Sequence, residues 1–81
     1  MRITVCFYSY LKDLTGFAQA TETLPDGSTL GDLFAKLAAR FPKLDGMQKS
    51  TLMAVSLDYQ QPSYVLKDGD DVSFFPPVQG G

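Results

Sequence analysis

The sequence predicts an α+β fold in which a mixed β-sheet carries one main helix packed on one face. Three observations point there. Residues 2–8 alternate in the period-two pattern of a half-buried strand, and residues 72–75 form a last strand with Val72 and Phe74 on one face. Between them, Leu30, Leu33, Phe34, Leu37, Ala38 and Phe41 recur at helical spacing and form one apolar stripe. The chain has 81 residues, which is enough for one small core and no more.

In residues 2–8, Ile3, Val5 and Phe7 share the face that should meet the core. Arg2, Thr4, Cys6 and Tyr8 share the other. Cys6 and Tyr8 make that second face more apolar than a purely solvated one. Ser9 is a candidate N-cap and Gly16 a candidate C-terminal stop, which predicts one to two helical turns with Leu11 and Leu14 packed inward. Residues 17–24 read as a second, Thr-rich strand and residues 25–28 as a turn. Thr29 opens the main helix, residues 29–41. Asp32 three residues later makes a shortened capping box with it. Lys36 and Arg40 are i, i+4 neighbours on the side away from the stripe, and Pro42 stops the helix.

Residues 43–50 form a polar connection with room for one helical turn, and residues 52–57 read as a third strand. Residues 58–63 read as loop and residues 64–66 as a short strand segment. Residues 67–71 are a tight acidic turn in which Gly69 can take positive φ. Their spacing is not that of a calcium loop, so the turn reads as solvated. In the last strand Val72 and Phe74 share one face, Ser73 and Phe75 the other. First and last strands paired in parallel at the centre, with the long helix as crossover, would make residues 1–75 a β-grasp domain.

Composition excludes several classes of chemistry. Net charge is −2 without a Lys or Arg cluster, so no nucleic-acid partner is expected. No apolar run approaches a membrane span and the first residues lack signal-peptide layout, so a cytoplasmic protein without membrane contact is expected. Cys6 is the only cysteine and histidine is absent. Metal sites built on His or Cys, four-thiolate clusters and a His-dependent triad are therefore ruled out. No glycine-rich phosphate loop with a lysine is present either. The chain is expected to bind no cofactor of its own.

The candidate chemistry lies at the end. Pro76 and Pro77 fix φ and donate no N–H, so the sheet cannot run through them and residues 76–81 should leave as an extended tail. Six residues reach about 20 Å at roughly 3.3 Å each. Gly80 and Gly81 have no side chains, so the tip could enter a channel too narrow for a Cβ. The reading is a carboxyl group, that of Gly81, presented at a distance by a chain with nothing of its own to activate it. A second candidate feature is the face opposite the helix. Tyr8 and Phe75 should lie there with Cys6 beside Tyr8, and Tyr59 in the following loop extends the group. Aromatics so grouped are read as a partner surface; the competing reading is a small second core under the loops.

The segment from Met53-Ala54-Val55 through the Asp68-Gly69-Asp70 turn to Phe74-Phe75-Pro76-Pro77-Val78-Gln79-Gly80-Gly81 resembles the MoaD family. Those proteins are the small, sulfur-carrier subunits of molybdopterin synthase, ubiquitin-like and similar to the ThiS-like carriers. Residues 7–16 resemble the family's aromatic-small-x-Leu-Arg-Glu-x-x-Gly stretch. Lys12 and Asp13 stand where Arg and Glu are usual, and Ser56 stands where Asn is usual. A Lys at position 12 would weaken any bidentate contact made there.

The resemblance implies a ubiquitin-like β-grasp fold and a non-catalytic subunit of a sulfurtransferase. An E1-like adenylating enzyme, using ATP and magnesium, would activate Gly81. A sulfur donor such as a desulfurase or rhodanese would then supply sulfur, leaving a thiocarboxylate. That group would donate sulfur to the pterin precursor in the large synthase subunit, with Pro76, Pro77, Val78, Gln79 and Gly80 in the partner's active site. Tyr8, Lys12, Tyr59 and Phe75 are the docking candidates. The alternatives are a carrier for thiamine thiazole or tRNA thiolation, a ubiquitin-like modifier joined to lysines, and a passive β-grasp interaction module.

Overall fold

In the computed structural model, which describes residues 1–77, the alternating run at the start of the chain forms β1 (Arg2–Phe7). It is followed by α1 (Tyr10–Thr15), β2 (Gln19–Thr23), α2 (Leu30–Arg40), β3 (Leu52–Val55), β4 (Asp58–Tyr59) and β5 (Asp71–Phe75). The sheet order is β2-β1-β5-β3-β4. β1 and β5 run parallel, while β1–β2, β3–β5 and β3–β4 are antiparallel. This is the mixed sheet of a ubiquitin-like β-grasp fold, with the α2 stripe on one face.

Alternation decides which residues make the core. Ile3, Val5 and Phe7 of β1, Met53 and Val55 of β3, and Val72 and Phe74 of β5 are buried with Leu30, Leu33, Phe34 and Leu37 of α2. Phe74 is the hub: its ring lies 5.9 Å from that of Phe7 and 5.5 Å from that of Phe34. Helix α2 starts where the sequence places it. The Thr29 side chain accepts from Asp32 N–H and the Asp32 carboxylate accepts from Thr29 N–H, a reciprocal capping box worth about 1 kcal/mol.

Several local readings are corrected. Ser9 occupies the residue before α1 but makes no side-chain cap, and its φ is +56°. Tyr8 N–H still pairs with Phe74 C=O, so the chain must turn sharply off the sheet in one residue. β2 begins at Gln19 rather than at residue 17, because the Thr15 hydroxyl holds both Phe17 N–H and C=O in a tight turn. Phe17 packs on Phe41 instead, with ring centroids 5.8 Å apart. β3 ends at Val55; Ser56, at φ +56°, opens a tight turn, and Asp58 and Tyr59 fold back as β4 rather than as loop.

Residues 64–66 are not a strand of the sheet. Val65 makes a single bridge to Thr29. The carbonyls of Pro62 and Tyr64 receive the N–H groups of Gly31 and Leu30, which a helix N-terminus leaves unpaired. Lys36 and Arg40 are not simply solvated either. They reach across to Glu22, which is only 8% exposed, at 3.6 and 3.0 Å. Lys36 also donates to Thr23 C=O and Arg40 to Thr21 C=O, so α2 is tied to the outer edge of β2. After Pro42 the chain continues in 3₁₀ turns at Pro42–Leu44 and Gln48–Ser50. The acidic turn does structural work: Asp68 accepts from Arg2 N–H, Gly69 N–H donates to Arg2 C=O, and Gly69 has φ +85°.

Candidate functional site

The site is built on the sheet face that α2 leaves bare. Side chains alternate along β1 and β5, so burying Val5, Phe7, Val72 and Phe74 turns Cys6, Tyr8, Ser73 and Phe75 the other way. The register sets Cys6 beside Ser73, Ser73 beside Ala54 and Ala54 beside Tyr59 in one row across the sheet. Phe75 stands opposite Leu52 in the next row.

Three of the predicted site residues meet there. The Tyr8 ring stacks on Phe75 with centroids 4.6 Å apart and planes 13° apart. Tyr59 meets the same ring edge-on at 6.2 Å and 73°. Each such pair contributes about 0.5–1.5 kcal/mol beyond its buried area, so the cluster is ordered before any partner arrives. It is not a second core under loops, since Tyr8 is 44% and Tyr59 66% exposed. Lys12, on the exposed side of α1, lines one shallow groove together with Cys6, Tyr8, Ser9 and Gln19. It is thus on the flank of the cluster.

Phe75 is the last residue of β5, so the segment beginning at Pro76 starts at the edge of the aromatic cluster. Pro76 and Pro77 are half-buried. Val78, Gln79, Gly80 and Gly81, expected in the partner's active site, lie outside the described residues. Leu52 belongs to the face but was not singled out. Its strand reads Leu-Met-Ala-Val, too uniformly apolar for alternation to tell the two faces apart. Leu57, in the β3–β4 turn, is 97% exposed and was likewise passed over as part of a strand. Among the described residues no group of three or more His, Cys, Asp or Glu could hold a metal ion. The arrangement can hold and orient another protein at the tail's root.

A search of protein families matches the ThiS family over residues 5–81. The chain is 35% identical to the molybdopterin synthase sulfur carrier subunit of Chlamydomonas reinhardtii, with all of both chains covered. Among solved structures it resembles SAMP1 from Haloferax volcanii, with TM-score 0.89, 18% identity and full coverage of both chains. It also resembles a chain in the protein–protein complex of subunits 1 and 2 of the molybdopterin-converting factor from Helicobacter pylori, with TM-score 0.68, 22% identity and full coverage of both. These two structures bear on the fold; the family match and the Chlamydomonas relative bear on kinship. Matched over nearly its whole length, the chain belongs to the ThiS family and is a homologue of the molybdopterin synthase sulfur carrier subunits.

Proposed function

We propose that the chain is the sulfur-carrier small subunit of molybdopterin synthase, working through the carboxyl group of Gly81. The observation that carries this reading is the Tyr8–Phe75–Tyr59 cluster, exposed on the bare face and ending where the Pro76-Pro77 segment begins. It gives a partner something to grip beside the tail it must accept. The name of the Chlamydomonas relative supports the same reading, and the Helicobacter pylori complex supports a large-subunit partner.

The chemistry follows from the weakness of a carboxylate as an electrophile. A Gly81 oxygen attacks the α-phosphorus of ATP in an E1-like enzyme that also holds magnesium. Pyrophosphate leaves and a mixed anhydride forms. The outer sulfur of a persulfide on a desulfurase or rhodanese displaces AMP to give an acyl disulfide. A second thiol on the donor side then attacks the donor's sulfur, forming a disulfide there and releasing the thiocarboxylate. Its sulfur displaces an oxygen leaving group on the pterin precursor in the large subunit, and water then cleaves the resulting thioester, so the chain returns as a carboxylate. Acid–base groups and substrate contacts come from the partners, and this chain contributes delivery. Lys12 and Tyr8 line the groove beside the cluster, and Pro76 and Pro77 restrict the tail's conformations, lowering the entropy lost when a partner's tunnel orders it.

Intact-mass analysis of the protein purified from its own host tests this reading. A fraction should carry sulfur in place of one oxygen at the C-terminal residue. A terminus found only as carboxylate in cells making the cofactor, or joined to lysines of other proteins, defeats it. Docking has its own test. Phe75→Ala removes both ring contacts and should lower folding stability by about 1–2 kcal/mol. It should weaken binding to the large subunit by about 2 kcal/mol or more, roughly thirtyfold. Titration calorimetry and thermal melting read the two effects separately. A melting loss as deep as that of a core truncation, with affinity intact, would contradict a docking role.

A further inference from the structure

The two edges of the sheet are treated differently. In β2, Leu24 and Met1 exchange both backbone hydrogen bonds, so alternation turns the carbonyls of Thr23 and Thr21 outward. Lys36 and Arg40 occupy both, and a strand approaching there would meet α2 side chains. In β4 the same alternation applies. Gln60 N–H pairs with Met53 C=O, and Tyr59 faces Ala54 one residue on. The Tyr59 N–H and C=O therefore point away from β3, along an edge that is open among the described residues. Unpaired edge groups are a template for another strand.

Beside that edge lies a groove of about 250 Å³ lined by Leu52, Met53, Tyr59, Pro62, Gln48 and Lys49. It is below the roughly 300–1,000 Å³ of small-molecule sites and suits one large apolar side chain. Among the described residues Lys49 is the only charged one in the lining. The groove is continuous with the aromatic cluster, because Tyr59 belongs to both. We propose that the large subunit adds an extended strand to the outer edge of β4, placing one apolar side chain in this groove and an acidic residue near Lys49. Main-chain hydrogen bonds would then set the partner's orientation and the groove its side-chain preference. This rests on the two-subunit reading above and adds to it how the partner is held.

The test is amide hydrogen exchange by NMR on the isotope-labelled chain, alone and with the large subunit. Complex formation should slow exchange at Tyr59 by about tenfold or more, while Thr21 and Thr23 on the closed edge keep their free rates. Replacing the Tyr59 amide by an ester, with the ring retained, should weaken binding about fivefold. Protection without an ester effect would mean burial of the face alone and would overturn strand addition, as would an unprotected Tyr59 in a complex that shifts the Phe75 ring signals. Protection in the chain alone, with dimers in sedimentation, would assign the edge to a second copy and overturn it too. A chain that leaves every signal unmoved on adding the large subunit would sink the two-subunit reading itself, and strand addition with it.

Discussion

Deleting Gly81, or adding one residue after it, is expected to abolish molybdopterin formation by the assembled synthase while leaving the melting temperature unchanged. The reason is geometric. In the proposed reaction the terminal acyl carbon is the reacting centre. Removing or adding a residue moves the end by about 3.3 Å along an extended tail. A misplacement of about 1 Å can already lower a rate a hundredfold, so both variants should fall below detection. In the proposed narrow channel an added residue would also place a side chain or a further peptide beyond the glycine tip. The core runs from Ile3 to Phe74, so folding should not notice either change. Activity with purified large subunit and pterin precursor, read beside circular dichroism melting, decides the matter. A truncated chain that still supports synthesis leaves the passive interaction module as the better description.

Phe74→Ala is expected to have the largest effect on stability. The ring is 0% exposed and touches rings from β1 and α2 at once. Truncating a buried Phe costs about 3–5 kcal/mol, against a total near 4–12 kcal/mol for a domain of this length. The variant should lose about 15 °C or more in melting temperature and be partly unfolded at 37 °C. The adjacent Phe75→Ala should lose far less, because its ring lies on the opposite face. Urea titrations of the two variants compare them directly. Equal losses would mean that the two faces are not distinct in solution.

That contrast between neighbours was legible in the sequence. The alternation of β1 and β5, the α2 stripe and the Thr29–Asp32 box are local signals that tertiary packing leaves alone. So was the aromatic cluster, because a residue ending a strand just before Pro76 must sit at the sheet's rim. β4 was not legible. It has two residues, and the turn before it is Ser-Leu, without the glycine or asparagine that marks a hairpin. The backbone of Ser56 accepts positive φ because the β3–β4 pairing demands it. Glu22 was not legible as a buried partner of Lys36 and Arg40, since nothing local in a Thr-rich strand says which face a helix will cover. The role of residues 62–66 escaped for the same reason: their carbonyls serve a helix more than thirty positions earlier.

The parallel β1–β5 pair has a consequence for biosynthesis. The hydrogen-bonded centre of the sheet joins Thr4 to Asp71 and Phe7 to Phe74, among the most widely separated contacts the chain can make. Such non-local pairing must pay its loop-closure entropy before the contacts it makes can stabilise the chain. A nascent chain still lacking β5 on the ribosome holds β1 and α2 without the strand both pack against. The domain therefore cannot finish folding until its last strand has been synthesised, and a half-made chain has no completed aromatic face.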